Sequence, residues 1–315
     1  MTDQHQAQRP ANPSRLYPGE WPTWIVIIAV YGGWLGILGA YHQALLNLPL
    51  ATVLLAVWAA WFMSLQHELI HGHPTRSARV NALFGYAPLT VWYPYALYRD
   101  SHLLHHTDSS LTLPDIDPES TYVSQARWQQ AGPLKRRLLT VRKTFLGRLL
   151  LGPPWGVAAL LTSELHTIAH GDFSRAPLWL GHGALCVGML YGIQDFTGIP
   201  AWYYLLAVTW PALSLASVRS FYEHRAQPMV PERTVINEGG WFTRVLFLNN
   251  NLHAVHHARP DVPWYSLPAF YRAQRATFLS HNGNFHVPGG YLQLLRQYAW
   301  RPVDAPAHPA VEETA

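Results

Sequence analysis

The sequence contains a single cysteine, Cys186, and few charged residues. One cysteine excludes an intrachain disulfide and any metal site built from several cysteines. Asp, Glu, Lys and Arg make up 13% of the 315 residues, hydrophobic residues make up 49%, and none of the four charged types occurs from Trp21 to His67. No basic block interleaved with aromatic residues suggests nucleic-acid binding. This composition indicates a protein with a part embedded in a lipid bilayer.

Long apolar runs predict four membrane-spanning helices, because each is close to the ~20 residues that cross a hydrocarbon core. They cover about residues 24–41, 49–66, 178–193 and 201–218. Residues 80–98 contain Pro88 and Pro94 and predict a re-entrant or interfacial segment rather than a span. Residues 149–161 are shorter and contain Pro153-Pro154, which favours a helix lying in the interface.

The distribution of basic residues predicts the orientation of these helices. The links at 42–48 and 194–200 contain no Lys or Arg, whereas the other loops contain nearly all of them. By the positive-inside rule those other loops are cytoplasmic. We therefore expect an all-α, polytopic membrane protein with a single domain over residues 21–300. Its four spans carry a cytoplasmic helical cap, residues 67–175 and 219–300, with loose tails at 1–20 and 301–315.

Histidines are concentrated in three clusters at the ends of the predicted spans and in the cap. Histidines spaced i and i+4, or i, i+3 and i+4, lie on one side of a helix and can aim at a common point. The candidate metal ligands are His67, His71, His102, His105, His106, His253, His256 and His257, with His224 as a ninth. Imidazole suits iron, copper, nickel and zinc. A single zinc needs about four ligands, so eight or nine nitrogens predict two ions.

Acidic and amide residues near the clusters are candidates to orient the imidazole rings by accepting their second N–H. The candidates are Glu68, Asp100 and Glu223. The acidic run at Asp115, Asp117 and Glu119 either stabilises the site, meets a polar head group or, as the simplest interpretation, forms a solvated loop. Residues 249–251 either hold a metal-bound water or cap a helix, and the role of His73 is left open.

The motifs HELIHGH, HLLHH and HAVHH, which start at residues 67, 102 and 253, resemble the three histidine boxes of the membrane fatty-acid desaturase and hydroxylase superfamily. The resemblance covers about residues 67–267. It implies a non-haem site with two iron ions, O2 as co-substrate, and a fatty acyl or other long apolar substrate. It carries the ligand role to the eight box histidines and to His224.

The implied reaction is the removal of two hydrogens from an acyl chain to leave a double bond. A hydroxylase or ketolase of a carotenoid, alkane or lipid is the alternative that the same boxes would serve. Residues 286–290 are only loosely similar to the haem motif of cytochrome b5, so a separate electron donor of ferredoxin, rubredoxin or cytochrome b5 type is implied. The protein is expected to span the membrane, the inner membrane if bacterial, with a cytoplasmic active site.

Two other classes of protein, zinc metallopeptidases and non-catalytic haem or metal-binding membrane proteins, also contain closely spaced histidines. The HExxH pattern at residues 67–71 is also typical of zinc metallopeptidases, with Glu68 as general base. A haem or metal-binding membrane protein without catalysis would place paired histidines within the spans. His166 and His170 also have i, i+4 spacing, which an interfacial amphipathic helix explains.

Overall fold

A computed structural model describes residues 19–309, which form an almost entirely helical protein. The helices are α1 (Trp21–His42), α2 (Leu48–Ile70), α3 (Ala78–Gly85), α4 (Tyr95–His105), α5 (Gln125–Gln130), α6 (Pro133–Arg142), α7 (Phe145–Ala169), α8 (Ala176–Thr197), α9 (Ala201–Tyr203), α10 (Thr209–Arg219), α11 (Trp241–Leu246), α12 (His253–Ala258), α13 (Leu267–Ala273), α14 (Arg275–His281) and α15 (Gly290–Tyr298). A π-helical turn, Tyr204–Val208, joins α9 to α10. Two short strands, β1 (Ile236–Asn237) and β2 (His286–Val287), pair in parallel.

The first two helices form an antiparallel hairpin that the sequence specifies closely. Helix α1 has Pro22 in its first turn and no charged side chain along its length. Helix α2 begins after Asn47, whose side chain accepts a hydrogen bond from the Leu50 N–H at 3.0 Å. An amide oxygen at this position satisfies one of the backbone donors left free at a helix start. Both helices are long and apolar enough to cross a membrane.

Small residues bring α2 and α10 close together. Ala59 and Ala60 of α2 and Ala212 of α10 are buried in one cluster. Small side chains allow such close backbone packing between membrane helices, where no hydrophobic driving force separates protein from lipid. Five helical segments in the described residues have the length and apolarity of spans, one more than predicted: α1, α2, α7, α8 and Ala201–Arg219.

Helix α7 is the element that the sequence analysis described wrongly. In place of a short helix broken by Pro153-Pro154, the structure has one helix of 25 residues that continues through both prolines. Proline removes the N–H that would bond the carbonyl four residues earlier, here that of Leu149. The hydroxyl of Ser214 on α10 donates to this Leu149 carbonyl at 2.8 Å. A neighbouring helix thus restores the lost hydrogen bond, which is how prolines are tolerated in membrane helices.

Residues 86–94 form an irregular segment between α3 and α4, in agreement with the prediction that this region is not a span. Its backbone is held by side chains from the long helices. The Leu89 carbonyl accepts from the Tyr204 hydroxyl at 3.1 Å, and the Val91 carbonyl accepts from His182 at 2.6 Å. Irregular backbone next to apolar helices is stable only when its polar groups are satisfied in this way.

Both ends of the described part of the chain contact the cap. Glu20 hydrogen-bonds His73 at 2.8 Å, while residues 1–18 of the predicted N-terminal tail lie outside the described part of the chain. At the other end, the expected loose tail is packed as far as Pro309, and His308 is buried. Residues 310–315 lie outside the described part.

The contact between α1 and α2 generates a stability prediction. A Cβ added at Gly33 would lie 2.1 Å from the Trp58 indole nitrogen, which donates a hydrogen bond to the Ala29 carbonyl. Gly33→Ala should displace the indole and lower the free energy of unfolding by about 1–3 kcal/mol. Gly36→Ala is the matched control, because nothing lies within 4 Å of its added Cβ.

Thermal unfolding in detergent, followed by size-exclusion chromatography, measures both variants. The Gly36→Ala protein should be as stable as the wild type or slightly more so, since alanine favours helix. Equal stability of the Gly33→Ala and Gly36→Ala proteins would contradict the packing described.

Candidate metal centre

Four separate segments of the chain bring nine histidines to one place. His67 lies in the last turn of α2, and His71 is the residue directly after this helix. His224 lies in the residues that follow α10. Helices α4 and α12 supply three histidines each. The nine are His67, His71, His102, His105, His106, His224, His253, His256 and His257, and they are the same nine that the sequence analysis named.

The histidines fall into two groups rather than one. In each group the ring nitrogens lie within 4.8 Å of one another. The first group, called group 1, consists of His67, His71, His102, His106 and His256. The second, called group 2, consists of His105, His224, His253 and His257. Two groups of five and four nitrogens are the arrangement expected for two neighbouring metal ions.

Helices α4 and α12 supply both groups in a reciprocal way. Helix α4 gives the i, i+4 pair His102 and His106 to group 1, and α12 gives the i, i+4 pair His253 and His257 to group 2. The third histidine of each helix goes to the opposite group. Because residues four apart lie on one face of a helix and the third histidine points beside them, this spacing places the two groups side by side.

The nitrogen separations test which kind of ion the groups fit. In group 1, Nε2 of His102 lies 3.0 Å from Nε2 of His71 and 3.2 Å from Nε2 of His106. In group 2, Nε2 of His224 lies 3.1 Å from that of His105 and 3.0 Å from that of His253.

Two nitrogens on one ion at ~2.1 Å are about 3.0 Å apart at a right angle and about 3.4 Å apart at the tetrahedral angle. The observed separations fall in the range expected for neighbouring nitrogens on one ion, so each group has the spacing to hold a metal ion. In group 1, Nε2 of His67 is buried without a hydrogen-bond partner among the described residues. A metal ion would satisfy this nitrogen.

Two carboxylates orient the second histidine box. Nδ1 of His102 lies 2.8 Å from Glu119, and Nδ1 of His105 lies 2.8 Å from Asp117. A carboxylate only accepts hydrogen bonds, so each Nδ1 carries the proton and each Nε2 is left free to bind a metal. The sequence offered a role in stabilising the site as an alternative for these residues, but a solvated loop was the preferred interpretation. Asp115 follows that preference, with an exposed ion pair to Arg127.

The residues predicted to orient the rings have mixed outcomes. Asp100 is wrong, since it is exposed and pairs with its neighbour Arg99. Glu223 lies 3.7 Å from Nδ1 of His253, too far for a hydrogen bond, and the side chain of Asn250 is the closer partner at 3.1 Å. Asn250 therefore orients a ring from within the 249–251 run.

Glu68 and His73 do not face the two groups. One Glu68 oxygen accepts the Trp264 backbone N–H at 3.1 Å, and its other oxygen is 3.8 Å from Nδ1 of His67. His73 belongs to neither group and hydrogen-bonds Glu20. Glu68, which would be the general base of a zinc peptidase, thus binds a backbone N–H instead of facing the histidines. The first histidine cluster contributes the ring nitrogens of His67 and His71 to group 1. His166 and His170 stack on each other away from both groups.

Burial keeps the imidazoles in the form that binds metals. It lowers the pKa of these seven: His71, His102, His106, His224, His253, His256 and His257. For His106 the pKa falls to about 3. His105 differs: burial also lowers its pKa, but Glu119 and Asp117 outweigh burial and raise it to about 9. Those carboxylates make the His105 ring a stronger base and hence a stronger metal ligand.

The fold and the site together define an α-helical, polytopic membrane protein with a histidine centre that can hold two metal ions. Comparison with known families gives a match to the family described as fatty acid desaturase over residues 43–289, and the chain belongs to that family. The matched range contains all nine histidines, Asp117 and Glu119. Comparison with curated proteins finds no match. The resemblance drawn from the histidine boxes is confirmed, and the protein is a desaturase-like oxidoreductase.

The contact between Asp117 and His105 generates a prediction about metal retention. Asp117→Asn should weaken metal binding by about 10–100-fold, because it removes the charge that strengthens His105 as a ligand. Asp115→Asn, two residues away, is the control and should change binding by less than about twofold, since surface pairs of its kind contribute little. Metal content per chain after timed exposure to a chelator measures both. Equal metal loss in the two variants would show that Asp117 does not support the centre.

Proposed function

We propose that this protein is an O2-dependent, non-haem di-iron oxidoreductase that introduces a double bond into a fatty acyl chain. The nine histidines are the proposed ligands, five for one iron and four for the other. The observation that carries the proposal is the separation of the imidazole nitrogens into two adjacent groups, each with the spacing of ligands on one ion. Family membership supports the oxidoreductase class and an apolar lipid substrate.

Bound iron would supply the redox chemistry by which O2 removes hydrogen from an unactivated C–H bond. The protein's own residues hold the ligands in place and exclude water from them. His102, His105 and His253 are each nearly inaccessible to solvent. Asp117 and Glu119 each accept the Nδ1–H of one ring, which directs Nε2 of that ring toward the proposed metal. Such support holds the two rings in the orientation in which they would bind a metal.

The convergence of the histidines constrains the membrane topology. Residues of α4 and α12 meet in both groups, so the chain must cross the membrane an even number of times between them. Three span-like helices lie in that interval: α7, α8 and Ala201–Arg219. If two of them cross, the third lies along the surface.

We assign the surface position to α7, which retains four spans. Its first turn lies beside the residues that follow α10, since the Arg148 guanidinium donates to the Ser220 hydroxyl at 2.9 Å. Helix α8 ends at the far side of the bundle, where Phe196 stacks on His42 at the end of α1 with ring centres 4.3 Å apart. Helix α8 and the segment Ala201–Arg219 then cross in opposite directions, and α7 keeps both ends on the side of the histidines.

Electrons are proposed to come from a separate donor of ferredoxin, rubredoxin or cytochrome b5 type. The segment 286–290, whose sequence is loosely similar to a haem motif, has another role here. Strand β2 pairs with β1, and His286 lies 3.2 Å from Glu238. These contacts support a structural role for that histidine rather than haem ligation.

Removing one ligand from either group should abolish turnover while the helical fold remains. His105→Ala and His256→Ala should each fall below roughly one hundredth of the wild-type rate, since even the residues that support ligands cost up to about 100-fold when changed. His170→Ala is the control, because that ring is exposed and outside both groups.

Mass spectrometry of lipids from an expression host with a reductase system measures the product, and elemental analysis measures iron. A product lighter by two hydrogens identifies a desaturase, and a gain of oxygen identifies a hydroxylase or ketolase. Substantial turnover in His105→Ala or His256→Ala would argue against the ligand assignment. Haem absorption or one zinc per chain would refute the di-iron proposal.

The topology is tested by cysteine labelling after the single native cysteine is removed with Cys186→Ser. Asp100→Cys and Asp172→Cys should react with a membrane-impermeant reagent from the same side, and Gln43→Cys from the opposite side. Reaction of Asp172→Cys from the side of Gln43→Cys would place α7 across the membrane and contradict the assignment.

A further inference from the structure

The C-terminal segment is tied to the loop that carries the acidic ring partners. We call residues 107–123 the acidic loop and residues 302–308 the strap. The Val123 N–H donates to the Pro306 carbonyl at 3.0 Å, and the His308 N–H donates to the Val123 carbonyl at 2.9 Å. The strap therefore runs alongside the end of the acidic loop, although about 180 residues separate them in sequence.

His308 also contacts the middle of the acidic loop through its buried side chain. Its Nδ1 lies 2.7 Å from the Pro309 carbonyl, which only accepts, so Nδ1 carries the ring proton. Nε2 is then an acceptor, and it lies 3.2 Å from the Thr112 hydroxyl. The Thr112 hydroxyl thus donates to His308.

Thr112 has a backbone conformation that needs outside support. Its φ is +70°, in the left-handed region that a β-branched residue rarely adopts. The Thr112 N–H donates to Asp117 Oδ2 at 2.8 Å, and its carbonyl accepts from Ser120 at 2.7 Å. With the hydroxyl bound to His308, every polar group of Thr112 is fixed. Unfavourable conformations persist where the surroundings determine them in this way.

The contacts continue from Thr112 to the metal centre. Asp117 receives the Thr112 N–H on one oxygen and lies 2.8 Å from Nδ1 of His105 through the other. We propose that His308 is a positioning residue of the metal centre, which acts through Thr112 and Asp117 to hold the His105 ring in its metal-binding orientation. The inference rests on the metal-binding part of the proposed function.

The strap has a second attachment that does not involve His308. The Lys143 ammonium lies 2.8 Å from Asp304, and the Tyr122 hydroxyl donates to the same carboxylate. The Tyr122 hydroxyl also accepts the Ala226 N–H at 2.9 Å, two residues after His224. Because this attachment remains when His308 is changed, a His308 variant tests the contact with Thr112 rather than the docking of the strap.

The test uses the purified full-length protein, stripped of metal and reloaded with Fe2+ or with Co2+, whose visible spectrum reports ligand geometry. The variants are His308→Ala, His308→Gln, Thr112→Val and the His308→Ala/Thr112→Val double variant. Gln125→Ala is the matched control, since the Gln125 amide donates to the His308 backbone carbonyl at 2.9 Å and does not contact Thr112. The measurements are the rate of metal loss to a chelator, the Co2+ spectrum and the thermal unfolding temperature.

We expect His308→Ala and Thr112→Val each to speed metal loss from the centre by about tenfold, the lower end of the effect of changing a ligand's support. The double variant should be no worse than either single one, because both remove one hydrogen bond. His308→Gln, whose amide oxygen can accept from Thr112, should restore the wild-type rate within about twofold. Both alanine and valine variants should also alter the Co2+ spectrum, which loss of stability alone would not do.

Wild-type metal retention and an unchanged Co2+ spectrum in His308→Ala would overturn the inference. So would equal effects of His308→Ala and Gln125→Ala, because these would indicate general docking of the strap. A wild-type protein that binds neither Fe2+ nor Co2+ would instead refute the proposed function, and the inference with it.

Discussion

The hydrogen bonds from imidazole Nδ1 to two carboxylates, the buried Asp117 and the partly exposed Glu119, are the interaction on which the centre depends. Nine neutral rings can surround two ions, but they bring no negative charge to offset the charge of the metals. Asp117 and Glu119 supply that negative charge on the far side of two of the rings, and they also determine which ring nitrogen faces the proposed metal. A buried carboxylate is itself unfavourable unless it is paired. The acidic loop, its Thr112 turn and the strap keep these two carboxylates paired to His105 and His102.

Regular periodicity made the ligands predictable from sequence, and the same rule explains the main error in their surroundings. Histidines four apart on α4 and α12 share a face, so spacing predicted which rings of each cluster lie together, while the convergence of the clusters was implied by the resemblance to the histidine boxes. Asp100 is two residues before His102 on α4, and residues two apart point in different directions on a helix. It was therefore a poor candidate from the start. His73 is excluded by a local feature that spacing does not show: Gly72 has φ +88°, so the chain leaves the direction of α2 before His73.

Asp117 and Glu119 were not predictable in the same way, because their role depends on contacts between distant parts of the chain. An acidic run after a helix is usually solvated, and here it folds back over α4. Pro114 and Pro118 within the run are compatible with either outcome. The decisive contact comes from His308, in a segment that looked like a frayed terminus. Composition alone was sufficient to predict the span-like helices α1, α2 and α8, and that residues 80–98 do not form a span.

The length of α7 shows why hydropathy alone does not fix topology. The helix is as long and apolar as a span. The two histidine groups, however, join α4 to α12, and three span-like segments lie between these helices in sequence: α7, α8 and Ala201–Arg219. The histidine centre can form only if all the segments that carry its histidines reach the same face of the membrane. The ligand geometry therefore constrains the crossings more strongly than hydropathy does, because an odd number would separate His102 from His256 by a bilayer about 30 Å thick. In the proposed surface position of α7, its exposed apolar side chains, such as Leu150 and Leu165, would be covered by lipid at the membrane surface that borders the metal centre.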